Sequence, residues 1–302
     1  MSESLKVLVY GATGSQASPV VHHLLANGHE AHALTREPGS KKCEPLEKAG
    51  ANLVAADMAD LQSLITASEG MDAVAFMIPA FIENPMNYPL FAKNAITAAK
   101  EAGVKLIVWN TSGPVIPERI GNPMYDLRLD IGDMLAESSV PYIILQPTAY
   151  MENLLGPWTR PSVAEKDELP YPVPEDIPLA WIASDDLGKL TVAALERPEL
   201  ANSRIVVSGI ENVTGPELAA QFSEGLGREI TYRAMPLEEF AAVMDQVFGQ
   251  GVGDVAAAGY RFQNENRDLF TMAADMEAVL KDLPVQMTTL AEWAARHRMA
   301  FS

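Results

Sequence analysis

The chain reads as an α/β protein: a doubly wound parallel sheet with a smaller mixed α/β C-terminal region. Three observations predict this. Strand-like and helix-like stretches alternate through the first half. A glycine turn, "GATG" at 11–14, joins the first strand to the first helix. From Pro147 onward the alternation loosens into a proline-rich stretch and shorter elements. Residues 1–150 are therefore expected to form a Rossmann-type domain, open to a strand or helix from the later chain, and residues 151–302 a smaller substrate-binding cap.

Element by element, Lys6–Tyr10 reads as a strand and Pro19–Asn27 as a helix with Val20, Val21, Leu24 and Leu25 on one face. Gly28 supplies its stop. Glu30–Thr35, Asn52–Ala55 and Ala73–Ile78 read as the next strands. A helix from about Tyr88 to Ala102 ends at Gly103, before a strand at Lys105–Asn110. A further helix, about Leu127 to Glu137, precedes a strand at Tyr142–Leu145. The segment Gly156–Trp181 contains six prolines and reads as mostly extended or turn-forming. Ser184 is placed to cap a helix over 185–196, followed by a strand in "RIVVSG". Thr214 and Glu217 fit a capping box, with Leu218, Phe222 and Leu226 on one face of the helix behind it. "EITYRAM" is a last short strand, and helical segments run to the end.

At 302 residues and 48% apolar, the chain can bury a sizeable core. Its net charge of −18 repels phosphate backbones, so direct nucleic-acid binding is disfavoured. Met1 to Lys6 is unlike a secretory leader, and no apolar run approaches the ~18 residues of a membrane span. A lone cysteine, Cys43, excludes an intramolecular disulfide and fits a reducing compartment. The cytoplasm is the expected location, with no membrane partner. Cys43 follows Lys41 and Lys42 in a loop and reads as an exposed, unreactive thiol.

The spacing Gly11-x-x-Gly14-x-x-Ala17 lies between a strand and a helix, as a dinucleotide-binding turn requires. Gly11 permits the tight turn, and Gly14 lets the backbone approach a pyrophosphate at the helix N-terminus. Alanine is an accepted third member, where close helix–strand packing is needed. At the end of the second strand, Thr35 and Arg36 stand where an acidic residue would bind the NAD ribose. An arginine there accommodates a 2′-phosphate, so NADP(H) is the preferred cofactor and NAD(H) remains possible. Asp57, with Met58 beside it, is placed for an adenine contact; Asp57 is also placed to cap the following helix.

Together "GATGSQA", "LTREP", "AADMADLQSL", "NAITAAKEAGVKLIVWNTS", "VPYIILQPTAYMENLL" and "TTLAEWAARHRMAF" resemble, in order, the NmrA-like family of atypical short-chain dehydrogenases/reductases. The resemblance implies an NADP(H)- or NAD(H)-binding Rossmann domain with a smaller substrate region. It carries the phosphate turn onto Gly11, Thr13, Gly14, Ser15 and Gln16, and the 2′-phosphate contact onto Arg36. Met77, Ile78 and Pro79 fall near the ribose. Asn110, Thr111 and Ser112 fall beside the nicotinamide, as do Pro147, Thr148, Ala149 and Tyr150. The family includes reductases and non-catalytic nucleotide sensors that bind protein partners.

The superfamily's catalytic Tyr-x-x-x-Lys pair is absent, since no tyrosine is followed four residues later by lysine. Where the family often keeps a lysine, "YDLRLD" has Arg128, which holds charge and donates hydrogen bonds but is no ready acid. Tyr125, three residues earlier, is the first proton-donor choice and Tyr150 the second. Hydride transfer to a quinone or imine can also draw its proton from water, which makes positioning decisive. Phe81, Met86, Tyr88, Tyr150, Met151 and Trp158 suit a flat apolar substrate. The preferred function is reduction of a small apolar carbonyl, quinone or imine by NADPH. The rival is a nucleotide sensor that passes its state to a protein partner. His22 and His23 have no ligand-spaced carboxylate or cysteine, so no metal is expected, and Ser112 has no hydrolase triad partners.

Overall fold

A computed structural model describes residues 4–78, 87–270 and 274–302. The chain forms two compact units. The first comprises Met1–Pro147, Ser184–Val207 and Glu277–Val285; the second comprises Thr148–Ala183, Ser208–Met276 and Gln286–Ser302.

The first unit opens with β1 (Lys6–Val9), α1 (Ser18–Ala26), β2 (Glu30–Thr35), α2 (Glu44–Ala49), β3 (Asn52–Ala55) and α3 (Leu61–Ser68). It continues with β4 (Ala73–Phe76), α4 (Tyr88–Glu101), β5 (Leu106–Asn110), α5 (Pro123–Ser138) and β6 (Tyr142–Pro147). In the second unit lie β7 (Ala149–Tyr150), α6 (Arg160–Lys166), β8 (Glu168–Tyr171) and β9 (Leu179–Ile182). The chain then returns to the first unit for α7 (Ser184–Leu195) and β10 (Ser203–Val207). The second unit resumes with β11 (Asn212–Val213), α8 (Gly215–Leu226), β12 (Thr231–Ala234), α9 (Leu237–Phe248) and α10 (Val252–Glu265). α11 (Met276–Asp282) falls almost wholly in the first unit, and α12 (Leu290–Arg296) in the second.

Seven parallel strands form the first unit's sheet in the order β10-β6-β5-β4-β1-β2-β3. The winding reverses between β1 and β4, which places a crevice at their carboxyl ends, where open α/β sheets bind ligands. The central strands β4 and β5 are buried along their whole length, as strands covered on both faces are, while the edge strands β3 and β10 keep exposed residues. On one face Leu8, Tyr10, Val74, Phe76, Ile107 and Trp109 pack against Leu64, Ile96, Ala99 and Leu135 from α3, α4 and α5. The opposite face is covered by α1 and α7, which pack on each other.

Several boundaries differ from expectation for identifiable reasons. α5 begins at Pro123, four residues before the expected start, because proline is tolerated in a first turn. Asp126 accepts the N–H groups of Ile120 and Gly121 at 2.9 Å each, fixing the approach to that turn. Asp60, not Asp57, caps α3, accepting from Gln62 and Ser63 N–H. α2 is a short helix that periodicity could not signal. Within the proline-rich stretch, Pro161 opens α6 instead of preventing it.

In the second unit, β7 and β11 flank β9, while β8 and β12 form a separate parallel pair. Tyr171, Trp181, Phe222, Trp293 and Phe301 are large aromatic side chains of its main core cluster. Glu217 accepts the Thr214 N–H at 2.8 Å and its hydroxyl at 2.7 Å, securing the start of α8. α9 and α10 pack as a pair around Phe240 and Met244. Among the described residues no helix is long and apolar enough to cross a membrane.

Candidate functional site

The turn after β1 is built around two glycines. Gly11 has φ +67°, a left-handed conformation that costs other residues energy. A Cβ there would also come within 3.2 Å of Met77 Cε. At Gly14 a Cβ would meet the Gly11 carbonyl oxygen at 3.2 Å. The turn is closed by Gly14 N–H donating to that oxygen at 2.8 Å, and Ser18 N–H donates to Gly14 O at 2.9 Å as α1 begins. Thr13 and Ser15 are exposed at the rim. Pro19 lies in the first turn of α1, where its missing N–H costs nothing. This cradle, at a helix N-terminus beside the sheet's reversal point, fits an anion approached by backbone.

Arg36 stands exposed at the end of β2 and, among the described residues, has no acidic partner. Behind it Cys43 is buried at 1% exposure, which corrects the expectation of an exposed thiol. Its Sγ lies 3.3 Å from Ser40 Oγ, 3.5 Å from Glu37 O and 3.7 Å from Thr35 Oγ1, because the chain turns inward into α2. Lys41 and Lys42 point outward beside it. After β3, Asp57 accepts the Ala59 N–H at 2.9 Å, while Met58 is buried. The Met58 carbonyl accepts from Asn94 Nδ2 at 3.0 Å. Asn94 is a buried amide on the apolar face of α4 that the sequence reading passed over; its signal was a polar residue in that stripe.

The ends of β4 and β5 complete the cluster. Met77 and Ile78 are buried, and Pro79 lies outside the described residues, as do Phe81 and Met86. Gln16 Oε1 accepts from Asn110 Nδ2 at 3.2 Å and from Ser112 Oγ at 3.0 Å, linking the glycine turn to the end of β5. Asn110 Oδ1 in turn accepts the Ser112 N–H at 2.8 Å. Ser112 sits at φ +56°, an uncommon conformation for a non-glycine residue, held by these bonds. Thr111 Oγ1 donates to Gly113 O at 2.6 Å, and Thr111 O accepts from Arg128 Nε at 3.0 Å.

Because α5 begins at Pro123, Tyr125 and Arg128 share one face of a formed helix. The guanidinium lies 5.9 Å from the centre of the Tyr125 ring, within cation–π reach. Burial pushes the Tyr125 phenol above its ordinary pKa, and the Arg128 charge opposes that rise. Tyr88 is shifted in the same direction by the same two causes. Gly113 leaves room for this arrangement, since a Cβ there would meet Arg128 Nη2 at 2.9 Å.

Thus Gly11, Gly14, Gln16, Met77, Asn110, Thr111, Ser112, Tyr125 and Arg128 gather at the carboxyl ends of β1, β4 and β5, with Arg36 and Asp57 at the ends of β2 and β3. Pro147 ends β6 in the same unit. Thr148, Ala149 and Tyr150 belong to the second unit, where Thr148 Oγ1 donates to Ala180 O at 2.6 Å and Tyr150 is buried. Met151 and Trp158 pack in that unit's core. His23, which has no carboxylate at ligand spacing in the sequence, meets Asp185 at 2.7 Å through tertiary contact. Among the described residues no three His, Cys, Asp or Glu side chains converge to hold a metal.

Residues 3–294 match the NmrA-like family. The chain is 29% identical to an NAD(P)H azoreductase of Xenophilus azovorans, covering 98% of this chain and 99% of that protein. A solved NADPH-dependent quinone oxidoreductase of Escherichia coli, in complex with NADPH, superposes with a TM-score of 0.78. It is 23% identical and covers 96% of this chain and 99% of that one. NmrA, a negative transcriptional regulator solved with NADP, gives a TM-score of 0.73 at 18% identity, over 97% of this chain and 95% of its own. At those identities the two structures report a shared fold.

Proposed function

The chain belongs to the NmrA-like family, and from that footing we propose that it is an NADPH-dependent reductase of a small, flat, apolar acceptor such as a quinone, an imine or a conjugated carbonyl. The observation that carries this reading is the Gly11–Gly14 turn leading into α1, with Arg36 exposed at the end of β2 and, among the described residues, without an acidic partner. The nearly full-length likeness to an azoreductase supports the acceptor class, since an azo group is also a conjugated double bond that takes up hydride.

A reduced nicotinamide supplies the hydride when bound. The chain's residues do the rest. The glycine turn and the start of α1 would hold the pyrophosphate, and Arg36, aided by Lys41 and Lys42, a 2′-phosphate. Gln16, Asn110 and Ser112 would fix the backbone beside the nicotinamide ribose. Arg128 carries a fixed positive charge, anchored on Thr111 O, toward the anion that hydride addition creates. The Tyr125 phenol, protonated at neutral pH, would supply the proton that completes the reduction; burial weakens it as an acid, the Arg128 charge opposes that effect, and water is the alternative donor.

The rival reading, a nucleotide sensor with a protein partner, draws on the missing Tyr-x-x-x-Lys pair and on the likeness to a transcriptional regulator. One experiment separates the two. NADPH, NADP⁺ and NADH are titrated into the pure protein, and NADPH oxidation is then followed with quinones, aldehydes, imines and azo compounds. Tight NADPH binding with turnover on one acceptor class is expected. Tight binding with no turnover on any of them would replace the reductase by the sensor.

A further inference from the structure

α7 enters the first unit late in the sequence, yet it packs directly on α1, the helix that leads away from the glycine turn. The crossing point is Gly188. A Cβ there would come within 2.8 Å of Pro19 Cβ, 3.0 Å of the Pro19 carbonyl carbon and 3.2 Å of His23 Cδ2. Pro19 belongs to the first turn of α1 and its ring is rigid, so the side chain cannot swing clear. Any bulk at Gly188 must push the start of the helix itself. Glycine is disfavoured in a helix interior, and Gly188 does not need its freedom for a positive φ. Close approach is the remaining reason for it.

Two hydrogen-bonded pairs reinforce the contact. His23 Nε2 lies 2.7 Å from Asp185 Oδ1, and His29 Nε2 lies 2.9 Å from Glu196 Oε1, so the α1 segment is joined to both ends of α7. Lys189 reaches Asp185 at 3.1 Å and the fully buried Asp186 at 2.7 Å. Thr191 of α7 shares a recess of about 10 Å³ with Gln16, Ala17 and Val20, directly under the turn.

We propose that Gly188 and the His23–Asp185 pair are positioning residues for the dinucleotide's pyrophosphate: by seating α7 against Pro19, they set where the start of α1 and the turn before it lie. This rests on the dinucleotide reading above. It adds that the cradle is shaped from behind, by a helix distant in sequence.

The test uses the full chain and two probes, NADPH and 2′-AMP. The latter carries the adenosine and the 2′-phosphate but no pyrophosphate. Wild type, Gly188→Ala, the double variant Gly188→Ala/Pro19→Gly, and His23→Ala are compared by calorimetric titration, with melting temperatures recorded. Gly188→Ala is expected to raise the Kd for NADPH roughly tenfold and leave that for 2′-AMP unchanged. Pro19→Gly, which removes the nearest of the three contacting atoms, restores part of the NADPH affinity in that background, and His23→Ala weakens NADPH selectively as well. Unchanged NADPH affinity in Gly188→Ala, or equal weakening of both probes, would overturn the proposal while leaving the reductase reading intact. Should Gly188→Ala not fold, His23→Ala decides, and an unchanged NADPH affinity there overturns the proposal. A wild-type protein that binds neither NADPH nor NADH would remove the dinucleotide reading and this one together.

Discussion

Single residues carry the sharpest expectations. Arg36 is exposed and, among the described residues, without an acidic partner, so its removal should disturb little else. Arg36→Ala is expected to abolish the preference for NADPH over NADH while NADH still binds; an unchanged ratio of the two Kd values would refute the 2′-phosphate assignment. Tyr125, the proton donor of the proposed reduction, is a buried phenol facing Arg128. Tyr125→Phe should lower kcat roughly tenfold or more, with NADPH affinity preserved, and a kcat equal to wild type would assign the proton to water. Asp185 behaves differently. Its carboxyl is held well below the usual range, first by the hydrogen bond from His23 and then by Lys189, against an opposing effect of burial. A carboxylate depressed in the folded state stabilises the protein above its unfolded pKa of about 3.9, and that contribution fades as the pH falls toward the folded value. The melting temperature of Asp185→Asn should therefore lie below wild type at pH 6, and the gap should close on acidification toward pH 2. A gap independent of pH would show that charge at Asp185 contributes nothing.

At the scale of elements, caps and turns decide boundaries. Asp60 accepts two N–H groups at the start of α3, and Asp60→Ala should cost about 1 kcal/mol in a denaturant titration with unchanged slope. A loss near zero would mean that α3 is held by its packing on α4 alone. The regular elements were legible where burial imposes a period: Glu30–Thr35 and Asn52–Ala55 stand where apolar patterning put them. So does the box of Thr214 and Glu217, because both partners are local. The misreadings have local causes too. α5 starts at Pro123, four residues before the stretch that the sequence pattern marked as helix. α2 is too short for a periodic signal, and its formation turns Cys43 inward. Asp57 and Asp60 both precede α3, and only the geometry of the turn picks the cap.

At the scale of the molecule, the net charge of −18 sets a field that favours cations. Arg36, Lys41 and Lys42 form a local exception at the end of β2. Between about 0.01 M and about 0.1 M salt the screening length shrinks from about 30 Å to about 10 Å. Over that range kcat/KM should fall for cationic acceptors and rise for anionic ones of similar shape. A common slope for both would mean that the acceptor does not feel the overall field.

The sequence by itself determined the class of fold, the glycine turn and the residue at the end of the second strand, because each depends on neighbours a few positions away. Alternating elements demand a parallel sheet, and Gly11 and Gly14 occupy positions whose backbone a larger side chain would disturb. The tertiary structure alone decided what surrounds that turn. The bonds of Gln16 to Asn110 and Ser112, of Asn94 to Met58 and of His23 to Asp185 join residues far apart in the chain. No local pattern encodes such pairs, since each partner is compatible with many others until the sheet order and helix packing bring two of them within reach. Gly188 makes the same point: it reads as a helix-weakening residue until α1 is found against it.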